Sequence, residues 1–195
     1  MLTVSAACWN QGRETFLQFA AIPESVFIDG EVWRLFSAFL LHSDVRHFLS
    51  NALILGVFAY LLYGYFGPWI FPIACIVLGA LVNLFSLLTY PPHTPLVGSS
   101  GIVYGMVGFW LTMFMLIERR LSVGRRLLHG FGVGLIVLVP STLSPSVSYR
   151  SHLFGLVLGI ALAVGYFSLR KEEIRERESY ASEPEPEEEP DFVAW

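Results

Sequence analysis

The sequence predicts an all-α protein, a polytopic bundle of membrane-spanning helices, and three observations lead to that fold class. Hydrophobic residues make up 54% of the 195 residues and charged residues only 14%, against about 25% charged residues in a soluble domain. The apolar residues form long blocks separated by short polar stretches, which is typical of membrane proteins. Glycines and prolines stand between the blocks, where helices are expected to end. The lipid bilayer is therefore a predicted partner of this chain.

Five of the apolar blocks are predicted to cross the membrane as helices, which takes about 20 residues each. They cover residues 47–66, 69–89, 100–117, the stretch from after 126 to near 140, and 149–169. Gly67 and Pro68 separate the first two spans, and the three prolines within 90–98 exclude a helix before the third. Residues 11–46 mix charges with aromatic side chains, which predicts an interfacial loop with short helices.

The two ends of the chain differ from these spans. Residues 1–10 are apolar but short and lack a basic leader, so we interpret them as a truncated or missing first helix rather than a signal peptide. Residues 171–195 begin as a charged helix and become rich in glutamate and proline, which predicts a disordered acidic tail. The predicted organisation is a membrane domain, 1–170, followed by a cytoplasmic tail, 171–195.

The basic residues predict an orientation in the membrane. Eight of the twelve lie on one side of it: Arg119, Arg120, Arg125, Arg126, Arg170, Lys171, Arg175 and Arg177. The positive-inside rule places this side, and with it the C-terminus, in the cytoplasm. The membrane is expected to be the cell (inner) membrane. Loops 11–46, 90–98 and 141–150 then lie outside. The body without its acidic tail is only slightly basic, and we expect no nucleic-acid partner.

Polar residues recur near the outer ends of three spans that run in the same direction. His47 and Asn51 are four residues apart at the start of the first full span, so they share a helix face. Ser100 opens the third span, and His152 lies in the first turns of the fifth. A serine beside an imidazole is a nucleophile with its base. We therefore expect Ser100 and His152 to form a catalytic pair near the outer face.

Small residues line one side of the third span and one side of the fifth. They are Gly101, Gly105 and Gly108 in the third span, and Gly155, Gly159 and Ala163 in the fifth. Such stripes let membrane helices approach closely, as a hydroxyl and an imidazole on different helices require. Tyr104, one turn after Ser100, is expected to pack against the His152 ring. Each feature alone has an ordinary structural explanation, and their matched depth is what favours a site.

The same residues resemble the motifs of the rhomboid family of intramembrane serine proteases. Gly98-Ser99-Ser100-Gly101 with Tyr104-Gly105 resembles G-x-S-G-x-x-Y-G, and His152 with Gly155 and Gly159 resembles H-x-x-G-x-x-x-G. His47 with Asn51 matches H-x-x-x-N, His42 stands where the family has a further histidine, and Trp33-Arg34 resembles the W-R pair of the first loop. The resemblance covers about 30–169 and implies a helical bundle of the rhomboid type.

The resemblance also implies an activity. It implies a Ser100–His152 dyad without an acidic third member, and neither a metal nor another cofactor. It implies an oxyanion hole made by His47, Asn51 and the backbone amide of Ser100. Supporting positions would be Tyr104, Gly98, Gly101, Gly155, Gly159, Trp33, Arg34 and His42. The implied substrates are transmembrane proteins, cut in or near a spanning segment.

The chain departs from the family pattern at three places. In place of the first of six family helices stand only residues 1–10, so either the start of the chain is assigned too late or this is a reduced member. Tyr63 stands where a glutamate is frequent, and Ser99 replaces the usual alanine or leucine. Two adjacent serines make the nucleophile slightly ambiguous, and the spacing to Tyr104 favours Ser100.

Four alternatives compete with this prediction. A catalytically inactive rhomboid-like protein that binds transmembrane clients should have lost the serine or the histidine, and both are present. A metal-dependent protease or metal carrier would use His42, His47, His93 and His152, but the sequence has no H-E-x-x-H. A small transporter should show inverted repeats, which we do not find. A rhombosortase-like enzyme would suit the small size, but its motif differs from this one.

Overall fold

The computed structural model describes residues 1–142 and 148–180, with the side chains of 136, 138–142 and 178–180 left aside. Its elements are α1 (Leu2–Gln11), α2 (Arg13–Phe19), α3 (Pro23–Phe27), α4 (Arg34–Ser37), a 3₁₀ turn (Ala38–Leu40), α5 (Val45–Phe66), a bent segment (Trp69–Ala74), α6 (Cys75–Leu87), α7 (Ser100–Ile117), α8 (Val123–Thr142) and α9 (Tyr149–Tyr180). An isolated bridge between Ala21 and Leu96 is the only β-type pairing within the described ranges. The all-α prediction is confirmed to that extent.

Four stretches are long and apolar enough to cross a membrane. They are Val45–Phe66, Trp69–Leu87, Ser100–Ile117 and Tyr149–Arg177. They correspond to the first, second, third and fifth predicted spans. The fourth predicted span falls in α8, which is not among these four described stretches, and part of it lies outside the residues whose side chains are described. The total of five spans therefore stays a prediction.

Local chemistry sets the boundaries of α5 and α6. The Asp44 carboxylate accepts the backbone N–H of His47 at 2.8 Å, which caps α5 so that it begins at Val45, two residues before the predicted start. Gly67 takes a positive φ of 76° and ends the helix. Phe71 leaves the helical region just before Pro72, so the second span is bent before α6 begins.

The α7 helix lies at the centre of the bundle, against α5, α6 and α9. In α7, 61% of the most apolar stretch is buried, against 17% for α5. The main core cluster draws on α5, α7 and α9 and includes Phe58, Leu62, Val107, Phe109 and Ala163. The helix that begins with Ser100 is thus the most enclosed of the four apolar spans.

The residues before α5 pack on this bundle as short helices, and α2 to α4 are the short helices predicted for the loop 11–46. α1 has ten residues, or about 15 Å of helix, which is half the thickness of a bilayer core. The Ser5 hydroxyl donates to the Leu40 carbonyl at 3.2 Å, and the Trp9 indole donates to the His42 carbonyl at 2.8 Å. These two bonds fasten α1 to the segment that precedes α5.

The last helix continues past the predicted end of the membrane domain. α9 runs to Tyr180 with a local break at Arg170, and Ile174 packs against the main core cluster. The predicted boundary at 170 therefore falls inside a helix, because an apolar side chain in the next turn still finds a place on the bundle. The predicted disorder of 181–195 concerns residues outside those the structure describes.

Candidate active site

Ser100 is the first residue of α7 and is 8% exposed. The segment before it has no helix, in agreement with the prediction for 90–98. Gly98 has a φ of 110°, a region that other residues seldom adopt. A Cβ placed on Gly98 would lie 2.9 Å from Cε1 of His47 and 4.0 Å from Oγ of Ser100. Glycine is therefore required here for the turn and for the close approach of the His47 ring.

His152 lies in the first turn of α9 and is 4% exposed. Its ring stacks on Tyr104 of α7, with 3.8 Å between the ring centroids and 16° between the planes. This is the contact that the spacing of Ser100 and Tyr104 predicts. The stack holds the imidazole beside the first turn of α7.

The glycine stripes bring the backbones of α7 and α9 into contact. A Cβ on Gly155 would collide with the carbonyl oxygen of Gly101, and a Cβ on Gly159 would collide with that of Gly105. No flexible side chain stands between the helices at these points, so neither glycine can be replaced without moving a backbone. The small-residue prediction holds for this pair of helices.

The ring nitrogens of His152 make no hydrogen bond. Both Nδ1 and Nε2 are buried and lack a partner among the described residues. Ser100 and His152 lie in the first turns of two contacting helices, but the hydrogen bond expected of a dyad is not formed in this state. Catalytic hydrogen bonds often tighten only when substrate binds.

The two predicted oxyanion-hole side chains differ in their surroundings. The half-buried His47 places its Cε1 and Nε2 next to Gly98, while its Nδ1 lies 3.1 Å from the Ser43 hydroxyl. Asn51 is 2% exposed, and its amide donates to the His47 carbonyl of its own helix at 3.1 Å. An amide nitrogen carries two hydrogens, so one Asn51 N–H remains for another acceptor.

His42 contacts the serine next to the candidate nucleophile, a pairing that the sequence analysis missed. Its Nε2 lies 3.1 Å from the Ser99 hydroxyl, and its ring meets the His47 ring edge-on. Burial and the neighbouring His47 lower the pKa of His42 to about 4, so it is neutral at physiological pH. The signal in the sequence was the hydroxyl of Ser99 at a position where the family pattern usually has an apolar residue.

Trp33 and Arg34 lie away from Ser100, in the interfacial loop. The Arg34 guanidinium donates to the carbonyls of Leu17 and Ala20 at 2.6 and 3.0 Å and pairs with Glu31. Its cation also lies over the Trp33 ring at 5.2 Å. This pair stabilises the fold of the loop and has no contact with the reacting groups.

A chain of hydroxyls beside His152 also went unpredicted. The Tyr90 hydroxyl lies 2.6 Å from that of Ser148, which bonds Ser151 at 2.7 Å, and Ser151 bonds Ser86 at 2.9 Å. The Ser148 hydroxyl also accepts the backbone N–H of Ser151 at 3.1 Å and so caps α9. The chain ties the start of α9 to the end of α6. The signal for it in the sequence was the pair Ser148 and Ser151, which have the spacing of a helix N-cap just before His152.

Within the described ranges, no group of three or more metal-ligating side chains is found.

A profile of the rhomboid domain matches residues 29–169. The chain belongs to the rhomboid family. The matched region contains the first-loop pair, the helices that carry His47 and Ser100, and α9 as far as Leu169. The family assignment made from the motifs is therefore confirmed.

Two relatives of this rhomboid come from Bacillus subtilis (strain 168). The protein YdcA, whose name assigns it provisionally to the rhomboid proteases, is 29% identical over 150 residues, or 75% of this chain and 72% of YdcA. Rhomboid protease GluP is 26% identical over 159 residues, or 79% of this chain and 30% of GluP. The chain therefore spans less than a third of that second relative. The apolar helices and this family place it among integral membrane proteins, with relatives named as proteases.

Proposed function

We propose that this rhomboid is an intramembrane serine endopeptidase, with Ser100 as nucleophile and His152 as general base. The observation that carries the proposal is the backbone contact of α7 with α9. This contact brings the start of α7, which carries the buried Ser100, close to the first turn of α9, which carries the buried His152, and so supports the pairing. The names of the two relatives support a protease.

The first step needs a base with a free lone pair. The two unpartnered nitrogens of His152 supply one, and the stack on Tyr104 limits the motion of the ring to its own plane. Ser100 Oγ attacks the carbonyl carbon of the scissile peptide while His152 takes the hydroxyl proton. His152 then gives that proton to the leaving amine, and water hydrolyses the acyl-enzyme by the reverse path.

The developing oxyanion needs hydrogen-bond donors at the same end of the helices. The Ser100 backbone N–H lies at the N-terminus of α7, where the first amides of a helix have no partner within it. The remaining N–H of Asn51 and the His47 ring are the side-chain donors we assign to this role. His42 and Gly98 shape the turn on which Ser100 sits.

Substrates and topology extend the proposal. The substrates would be transmembrane proteins cut in or near a spanning segment, because the nucleophile lies at the end of an apolar helix. The C-terminus would be cytoplasmic, because most basic residues lie just after α7 or in the last part of α9, beyond Leu169. The site would then lie near the outer face of the cell membrane.

A fluorophosphonate probe applied to protein in lipid nanodiscs tests the nucleophile directly. We expect labelling of the wild type and none of the Ser100→Ala variant. The Ser99→Ala variant is the matched control, since it removes the neighbouring hydroxyl and leaves Ser100 in place. Labelling lost only in Ser99→Ala would refute the assignment of Ser100.

A cleavage assay in proteoliposomes tests the reaction class. A model transmembrane substrate should be cut by the wild type at the same rate with and without EDTA. Loss of activity in EDTA that zinc restores would replace the serine mechanism with a metal-dependent one.

A further inference from the structure

A groove of about 340 Å³ lies at the ends of α5, α7 and α9 that are remote from Ser100. Its apolar lining comes from the partly buried Phe66, Ile117, Tyr166 and Ile174. From Ser100 to Ile117 is an 18-residue helix, about 26 Å long and close to the thickness of a bilayer core. The groove therefore lies at the headgroup level of the leaflet opposite the candidate active site.

One wall of the groove exists because α9 bends. Arg170 departs from helical geometry, with φ of −114° and ψ of 15°, and the next turn carries Ile174 onto the bundle. The exposed Tyr65 stands on the other side, at the end of α5. The bend thus encloses an apolar slot between helix ends.

The rim of the groove is cationic. Arg170 and Arg177 both pair with Glu173, at 2.6 and 2.9 Å, so two cations share one carboxylate. The arginine side chains are 52% and 76% exposed, and each bond uses only one of five N–H donors. Glu173 therefore fixes the two guanidiniums in place while leaving most of their donors and a net positive charge.

We propose that this groove binds one anionic phospholipid. The phosphate would accept from the N–H donors of Arg170 and Arg177 that Glu173 does not use, and the glycerol and upper acyl chains would lie on Phe66 and Ile117. Three features match: the depth of the groove, its apolar floor and its cationic rim. Tyr65 and Tyr166 are the amphipathic rings that favour the interface at that depth.

Native mass spectrometry of the full chain in a neutral detergent tests the proposal. The probes are phosphatidylglycerol and phosphatidylcholine with identical acyl chains. With a net charge of one on the rim, we expect phosphatidylglycerol to bind about fivefold more tightly. The Arg170→Gln/Arg177→Gln variant should lose this preference, and the Arg170→Lys/Arg177→Lys variant should keep most of it.

The matched control removes two cations from the same membrane side but outside the groove. Arg120→Gln/Arg125→Gln should retain the preference, because neither residue lines the groove. An equal loss in both glutamine variants would reduce the effect to general charge and overturn the site. So would an absence of preference in wild type, provided the protein is monodisperse.

Two further binding experiments distinguish a lipid from a free phosphate and from the C-terminal segment of the chain. Glycerol phosphate without acyl chains should neither bind nor compete at concentrations where the lipid is saturating, and full competition would make this a phosphate site. A synthetic peptide of residues 181–195 should not displace the lipid. Displacement at stoichiometric peptide would assign the groove to the chain's own C-terminal segment instead.

Discussion

The two helices that bring candidate site residues to α7 are held to it in different ways. α9 touches α7 backbone to backbone, so that a Cβ on Gly155 or Gly159 would collide with a carbonyl oxygen. Gly56 and Gly64 of α5 have no heavy atom within 4 Å of a hypothetical Cβ. Only 17% of the apolar stretch of α5 is buried. The candidate serine and base are thus carried by helices in main-chain contact, whereas the candidate oxyanion residues lie on a helix whose apolar stretch is mostly exposed.

The largest expected effect tests the α7–α9 side of this comparison. Ser100→Ala and His152→Ala should each reduce proteolysis by a factor on the order of 10⁴ or more, and the double variant should be no worse. A nucleophile and its base act as one unit, so losing either already removes the attack. The measurement is the initial cleavage rate in proteoliposomes. Losses that multiply in the double variant would show that the two residues act independently.

The next effect contrasts glycines on the two helices. Gly159→Val should lower the cleavage rate by more than about 100-fold, because α9 must move and a shift of 1 Å near the reacting groups costs about that much. Gly56→Val on α5 is the matched control and should stay within about threefold, since its side chain meets open space. Comparable losses in the two variants would mean that α5 is held as tightly as α9.

A smaller effect is expected on the oxyanion side. Asn51→Ala should reduce kcat roughly 100-fold, the lower end of what one oxyanion donor contributes, because the Ser100 amide and His47 remain. KM should change little, since the donor acts on the transition state. A variant as inactive as Ser100→Ala would show that Asn51 has a structural role in its helix as well.

Two truncated chains compare the contribution of the α9 turn that carries Ile174 with that of the residues after Tyr180. A chain ending at Tyr180 should match wild type in cleavage rate and in melting temperature. A chain ending at Arg170 should keep its cleavage rate, since the candidate site lies at the other end of the helices. It should unfold more easily by roughly 1 kcal/mol through the loss of Ile174 from the core cluster. Equal stability of the two truncated chains would show that Ile174 contributes nothing.

The smallest effect concerns the cap of α5. Asp44→Ala should cost about 1 kcal/mol of stability, and Asp44→Asn, which also caps helices, only a few tenths. The His47 backbone N–H holds the pKa of Asp44 below its usual value. The contribution of the carboxylate is therefore complete above about pH 4 and disappears as the pH falls through the lowered pKa. Melting curves in detergent from pH 3 to 7 would reveal the loss, and a wild type with no acid destabilisation relative to Asp44→Ala would contradict it.

The sequence predicted positions well wherever a periodicity or a breaker fixed them. Three proline residues excluded helix over 90–98, and the boundaries of α7 came out within a residue because Ser100 and the charged Glu118 mark them. A charged helix was expected after 170, but a charged composition does not reveal that Ile174 returns to the bundle. The bend at Arg170 that makes this possible has no signature in the sequence.

By itself, then, the sequence determined the helical membrane class, the family and the residues that the candidate site uses, because helix periodicity and glycine spacing are local properties of a chain. Only the tertiary structure decided how those residues are paired. It joined His42 to Ser99 by a hydrogen bond. It also linked Tyr90 to Ser86 through the hydroxyls of Ser148 and Ser151. Among the described residues, it also left both ring nitrogens of His152 without a hydrogen-bond partner. Hydrogen bonds between residues far apart in the chain depend on how the helices pack, and packing is a property of the whole bundle.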